Sequence, residues 1–289
     1  MRDQAERLRE LSKQALVSDV SMNARVITIA SGKGGVGKSN FAANLAIQMC
    51  KLGKRVVIID ADFGLANIEI LLGVAPKHSV SDVLIGKVDI EDALTIGPHG
   101  CSFLSGGTGL TAISEVSDAQ LRRLTNGFLS LDSQADCIII DTRAGLSNAV
   151  LNFVKAAGDI IVITTPDPTA IADAYALIKS MKKSMKELKQ VWLVVNCTSS
   201  EEEALDVYGK LSAVSQRFLG IELGLLGVIP FDPFLVKAVR KQKPVSVLYP
   251  HSESASSINE IGAGLLNIET GKKSSIQSFV LKLIGKFAS

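Results

Sequence analysis

Arg25-Val26-Ile27-Thr28-Ile29-Ala30-Ser31-Gly32-Lys33-Gly34-Gly35-Val36-Gly37-Lys38-Ser39-Asn40 reads as a β-branched run, a glycine-rich turn and the opening of a helix, in that order. The run at 25–30 predicts a buried strand, and apolar residues three and four apart over 40–51 predict the helix. Between them, glycines let the backbone wrap so that successive N–H groups point inward, and the positive end of the helix dipole adds to them. Strand, glycine loop and helix in this order are the context of a P-loop, whose ligand is a phosphate chain. The residues from Gly32 through Gly34, Gly35, Val36 and Gly37 to Asn40 then form the cradle. Lys38 bridges the β- and γ-phosphates, and the Ser39 hydroxyl ligates Mg²⁺.

Further short β-branched runs alternate with longer helical patterns along the chain. Candidate strands fall at 25–30, 55–59, 101–104, 136–140, 159–164, 191–195 and 225–229, with crossover helices at 40–51, 119–131, 170–188 and 201–218. This rhythm predicts an α/β fold, a doubly wound and mostly parallel sheet flanked by helices on both faces. Asp60 and Asp62 close the second strand, where an open sheet presents ligand-binding residues. Carboxylates there serve a metal or a water, or one of the pair caps the turn. Cys137-Ile138-Ile139-Ile140-Asp141 is an apolar strand ending in an acid, the Walker B pattern, which makes Asp141 the expected metal-site carboxylate. Asn196 follows the strand at 191–195, and Gly227-Val228-Ile229-Pro230-Phe231-Asp232 ends the next, both positions where ordinary turn chemistry also fits.

Lys33 is a second lysine inside the loop, and an ordinary P-loop does not need it. With it, Lys33-Gly34-Gly35-Val36-Gly37-Lys38-Ser39 resembles the deviant Walker-A family of MinD and ParA ATPases. The resemblance implies ATP and ADP with Mg²⁺ as cofactors, and an ATP-dependent homodimer in which Lys33 reaches the partner's phosphates and supplies cationic stabilisation in trans. It implies catalytic roles for Lys33, Lys38 and Asp62, with Asp60 contacting the hydrated Mg²⁺ and Asp62 orienting the attacking water. It further implies that Asn196 reads the adenine while the loop through Pro230 and Asp232 closes over the ring. Thr142-Arg143-Ala144-Gly145 departs from the family's small or proline residue ahead of Ala-Gly. Arg143 either adds a cation beside the γ-phosphate or folds out to solvent.

The two ends stand outside the alternating rhythm. Residues 1–20 are charged and amphipathic, with Ala5, Leu8, Leu11 and Leu16 on or near one face, a short helix followed by a connector. Asp3-Gln4-Ala5-Glu6-Arg7-Leu8-Arg9 resembles the DQAxxLR activator segment of the FlhG (YlxH/FleN) branch of the family. That resemblance implies contact of Asp3, Gln4, Ala5, Leu8 and Arg9 with FlhF, a signal-recognition-particle-type GTPase whose hydrolysis the segment stimulates. It also implies engagement of flagellar C-ring proteins. Behind the core at 24–270, residues 274–289 place Ile276, Phe279, Val280, Leu283, Ile284 and Phe287 on one helical stripe, with Lys282 and Lys286 on the other side. At 1.5 Å per residue this stripe spans about 20 Å, too short to cross a bilayer, and it reads as an interfacial helix on an anionic membrane or as a last helix docked on the sheet.

Composition bounds the remaining choices. Across 289 residues, 47% are hydrophobic and 21% charged, enough apolar surface for a sizeable core and too little charge for a disordered chain. Lys and Arg total 31 against 29 Asp and Glu, so no whole-molecule field recruits nucleic acid. The lysines at 179, 182, 183, 186 and 189 read as a solvated helix face, which makes DNA an unexpected partner. Cys50, Cys101, Cys137 and Cys197 form no CxxC pair for a cluster or a redox dithiol. A charged N-terminus without an apolar core, and no run of about 20 apolar residues, lead to the expectation of a cytoplasmic protein, peripheral on the inner face of the cell membrane when dimeric. A division-site regulator of the MinD type, or a nucleotide-locked scaffold with negligible turnover, are the competing expectations.

Overall fold

The computed structural model describes residues 24–62, 67–107, 118–185, 190–268 and 279–280. Eight strands form one sheet: β1 (Arg25–Ala30), β2 (Val56–Ala61), β3 (Thr95–Ile96), β4 (Ser102–Leu104), β5 (Cys137–Thr142), β6 (Asp159–Thr164), β7 (Val191–Thr198) and β8 (Leu223–Pro230). Their spatial order is β3-β4-β2-β5-β1-β6-β7-β8, parallel throughout except for the antiparallel β3–β4 pair at the edge. All seven runs read from the sequence are strands. The eighth, β3, is two residues long and carries no periodicity to read.

β2, β5 and β6 are buried at every position because both faces of the sheet are covered. Side chains of β1 alternate between layers. Ile27 and Ile29 pack with Phe41, Leu45 and Met49 of α1 (Lys38–Lys51) and with Ile258 and Ile261. Val26 faces the opposite side, with Val57, Ile59 and Ile138. The first layer also holds α2 (Ile68–Leu72). The second is built from α3 (Val80–Leu84), α4 (Ile90–Ala93) and α5 (Asp118–Ser130). The other half of the sheet is covered by α6 (Asn148–Ala156), α7 (Pro168–Ser184) and α8 (Glu201–Leu219). The chain closes with α9 (Pro233–Arg240), α10 (Val245–Leu248) and α11 (Glu253–Asn267). The helix expected over 170–188 ends earlier, at Ser184, where Met185 turns extended. Lys179, Lys182 and Lys183 are exposed on it, as a solvated face requires, while Lys186 and Lys189 lie outside the described residues.

Among the described residues no helix is long and apolar enough to cross a membrane. Of the C-terminal stripe, Phe279 and Val280 are helical and only 1% exposed, packed into the layer that holds α3 and α5. The Phe279 ring stacks on Phe153 of α6 at 6.3 Å between centroids. For these two residues the docked reading of the stripe is the one observed. Ile276, Leu283, Ile284 and Phe287, and the whole N-terminal segment with Asp3, Gln4, Ala5, Leu8 and Arg9, lie outside the described residues.

Deleting a fully buried phenyl ring leaves a cavity as well as losing its transfer free energy. Phe279→Ala should therefore lower unfolding free energy by about 3 kcal/mol in urea denaturation. A midpoint equal to that of the unmodified chain would mean that the segment does not dock in solution.

Candidate functional site

The central strand β1 delivers the glycine loop to the C-terminal edge of the sheet, between β5 and β6. Gly32 has no room for a side chain, since a Cβ there would run into the backbone of Asp173. Gly35 and Gly37 hold φ of 81° and 89°, left-handed values that favour glycine, and a Cβ on Gly37 would strike the Asn196 amide. Gly37 precedes α1, so the helix's free N–H groups open into a cleft of about 280 Å³. Lys33 to Asn40 line it together with Ser31, Asp62, Asn67 and Ala144. An open concave loop of N–H donors at a helix N-terminus fits a polyphosphate.

Lys38 is held inside this cradle by Asp141, Nζ to Oδ1 2.6 Å, with both side chains buried. The ladder between β2 and β5 pairs Asp60 with Asp141, which sets two carboxylates side by side at the strand ends. Burial, and then the neighbouring Asp141 charge, push the Asp60 carboxyl up to about 7. Asp60 also accepts the backbone N–H groups of Asp62 at 3.1 Å, Asn67 at 2.9 Å and Ile68 at 3.2 Å, so it organises the turn into α2 while facing Asp141. Lys38, Ser39, Asp60 and Asp141 thus present the mixture of oxygen donors and cation that a magnesium–nucleotide needs. Asp62 lies at the cleft wall. Burial raises its carboxyl and the Arg143 guanidinium, 3.9 Å away, opposes that rise. The loop carrying Arg143 is tied to the cradle where the Gly145 N–H donates to the Ser31 carbonyl at 2.9 Å.

Lys33 points to its own chain. Its Nζ donates to Asp167 at 3.0 Å and to the Thr169 hydroxyl. Asp167 also caps α7, accepting the Thr169 N–H at 2.7 Å, and the hydrogen bonds from Thr169 and Lys33 hold its carboxyl well below the usual range. Sequence reasoning missed Asp167 and Thr169. Their one signal is Asp167-Pro168, an N-cap followed by proline directly after a central strand.

The three residues expected at the adenine do not line the cleft. Asn196 gives its Nδ2 to the Val36 carbonyl at 2.8 Å and braces the cradle from below. Asp232 has both oxygens engaged: Oδ1 accepts the Phe234 N–H at 2.8 Å at the start of α9, and Oδ2 accepts the Ser254 N–H and hydroxyl. For Asp232 turn chemistry is what is observed, because a buried carboxylate needs those donors. Pro230 ends β8 opposite Thr198.

A family profile described as "ParA: NUBPL iron-transfer P-loop NTPase" matches residues 23–266. Antiactivator FleN of Pseudomonas aeruginosa is 37% identical over 231 residues, covering 80% of this chain and 82% of that protein. Flagellum site-determining protein YlxH of Helicobacter pylori is 34% identical over 269 residues, covering 91% and 90%. Among solved structures, the septum site-determining protein MinD of Pyrococcus horikoshii, complexed with Mg-ADP, superposes with a TM-score of 0.68 at 26% identity, over 86% of this chain and 98% of that one.

The Asp60–Asp141 row carries a pH signature. The unfolded Asp60 carboxyl releases its proton near 3.8 and the folded one near 7, so between those values the folded chain binds more protons. Stability must then fall as pH rises through that window, and level off above it. Urea denaturation of the metal- and nucleotide-free chain should show this decline from about pH 4.5 to 7, and Asp60→Asn should remove it. The same slope in the variant would assign the decline to other groups.

Proposed function

The chain belongs to the ParA/MinD family of P-loop ATPases, and on that footing we propose that it is a regulator of the FlhG type. In this reading it dimerises on ATP, attaches to the inner face of the membrane, stimulates the GTPase FlhF and acts on flagellar number, placement and C-ring assembly. The observation that carries the ATPase half is the buried Lys38–Asp141 pair inside a glycine cradle, with a second lysine, Lys33, at its rim. The flagellar half is supported by Asp3-Gln4-Ala5-Glu6-Arg7-Leu8-Arg9 together with the similarity to FleN and YlxH.

When bound, ATP and magnesium supply the phosphoanhydride bond and the charge clamp across its outer phosphates. Lys38 and the loop N–H groups of residues 32–39 bind the phosphate chain, Ser39, Asp60 and Asp141 hold the metal side, and Asp62 orients the water. Lys33 leaves Asp167 and Thr169 for the partner's phosphates, which couples dimerisation to the nucleotide. Asn196, through its brace on Val36, and the Pro230–Asp232 turn border the base. At the C-terminus, Ile276, Phe279, Val280, Leu283, Ile284 and Phe287 form the membrane face. Phe279 and Val280 must leave their groove beside α6 to serve there. Two copies of a weak anchor then act together, and paired anchors bind far better than one.

The role is separable from that of a division-site regulator by its N-terminal segment. A peptide of residues 1–20 should accelerate GTP hydrolysis by purified FlhF, and Gln4→Ala in the peptide should lose that acceleration. An FlhF rate unchanged by the peptide would return the cellular role to the division-site or scaffold readings and leave the ATPase assignment standing.

A further inference from the structure

Beyond the shared machinery, one charged contact belongs to this chain's departure from the family pattern. The β2–β5 ladder pairs Asp60 with Asp141 and Ala61 with Thr142. Asp62 and Arg143 are the residues that follow directly where these two strands end. Just past the strand ends the Arg143 Nε lies 3.9 Å from Asp62 Oδ1, a charge contact and not a hydrogen bond. The Asp62 side chain is 16% exposed and Arg143 63% exposed, so the base approaches from the solvent side.

We propose that Arg143 is a positioning residue for Asp62 in ATP hydrolysis: it holds the Asp62 carboxylate at the cleft wall and couples the loop after β2 to the loop after β5. This rests on the reading of Asp62 as the carboxylate that orients the attacking water. Three observations make the coupling physical. The Arg143 loop is anchored to the cradle by the Gly145 N–H to Ser31 carbonyl bond, so Arg143 reports the position of the phosphate loop. Asp62 is anchored by its own N–H on Asp60, yet its carboxylate has Arg143 as its ion-pair partner among the described residues. The nearby Lys38 charge is already engaged by Asp141, which leaves Arg143 as the cation that fixes where Asp62 points. A guanidinium suits this role because it stays charged at any working pH, so the attraction to Asp62 persists.

The test uses the full-length protein with ATP, Mg²⁺ and vesicles containing phosphatidylglycerol. An exposed pair at this distance has a modest effect, so Arg143→Ala should lower kcat about fivefold while KM for ATP stays within about twofold. Arg143→Lys should recover about half of the loss or more, because it restores the charge without the fork. Placed in an Asp62→Asn background, Arg143→Ala should change the single-turnover rate by less than about twofold, since a residue that acts through Asp62 has nothing left to position. A raised KM with unchanged kcat would instead make Arg143 a phosphate contact. A fivefold loss that persists in the Asp62→Asn background would make it a cation acting directly on the reaction, and an unaltered kcat would make it a solvated side chain. Each of these overturns the proposal. Full turnover in Asp62→Asn alone would overturn the role given to Asp62 itself, a different failure and separately visible. Fluorescent-ATP binding to every variant confirms that the cradle is intact.

Discussion

The buried contact between Lys38 and Asp141 is the constraint around which the site is arranged. An ammonium and a carboxylate taken out of water each cost several kcal/mol, and only a close pair in good geometry offsets it. At 2.6 Å the two satisfy each other, and in doing so they pin the start of α1 to the end of β5. The glycine loop must then span a fixed distance with left-handed turns at Gly35 and Gly37. Asn196 closes the remaining gap by taking the Val36 carbonyl. The cradle's shape therefore follows from one ion pair, two positive φ values and one amide.

The same logic governs the second lysine. Lys33 sits on Asp167 and Thr169 at the start of α7, half-exposed and within its own chain. An exposed pair of this kind is worth about 1 kcal/mol or less, so it parks the side chain without trapping it. The two lysines thus differ in burial: Lys38 is enclosed in the cradle against Asp141, and Lys33 stands half-exposed at its rim.

Much of the fold was legible because the central strands are buried on both faces and read as unbroken apolar runs, as in Cys137 to Ile140. The cradle was legible because glycine is favoured at its left-handed positions and a lysine at the helix start is long enough to reach the acid at the end of β5. The edge strand β3 was not, since two residues have no period. Asp232 was placed just past the end of β8, whereas Asn196, read as following its strand, lies inside β7, which runs on to Thr198; in both cases sequence names a hydrogen-bonding residue without naming its partner. The partners turned out to be Ser254 with the start of α9, and the Val36 carbonyl. The C-terminal stripe shows the same limit in apolar form. Phe279 and Val280 have the spacing for a lipid surface or for a protein groove, and periodicity cannot separate two environments that are equally dry.

Charge arrangement in the cleft argues for what it is built to receive. Among the described residues, Lys38 is paired with Asp141, Lys33 with Asp167, and Arg143 with Asp62. Each of these cations rests on a carboxylate, but only Lys38 and Asp141 are both buried, so a phosphate that takes Lys38 exchanges one buried anionic partner for another. Asp60 is the acid left over. It has three backbone donors but no cation, stands against Asp141, and is pushed up to about 7 as a result. Among the described residues the site thus carries one buried carboxylate more than it has paired cations, a surplus of negative charge that suits a divalent ion. That surplus is a physical reason for a phosphate chain and magnesium to belong together here: the anion competes with Asp141 for Lys38, and a divalent ion would compensate Asp60 and Asp141.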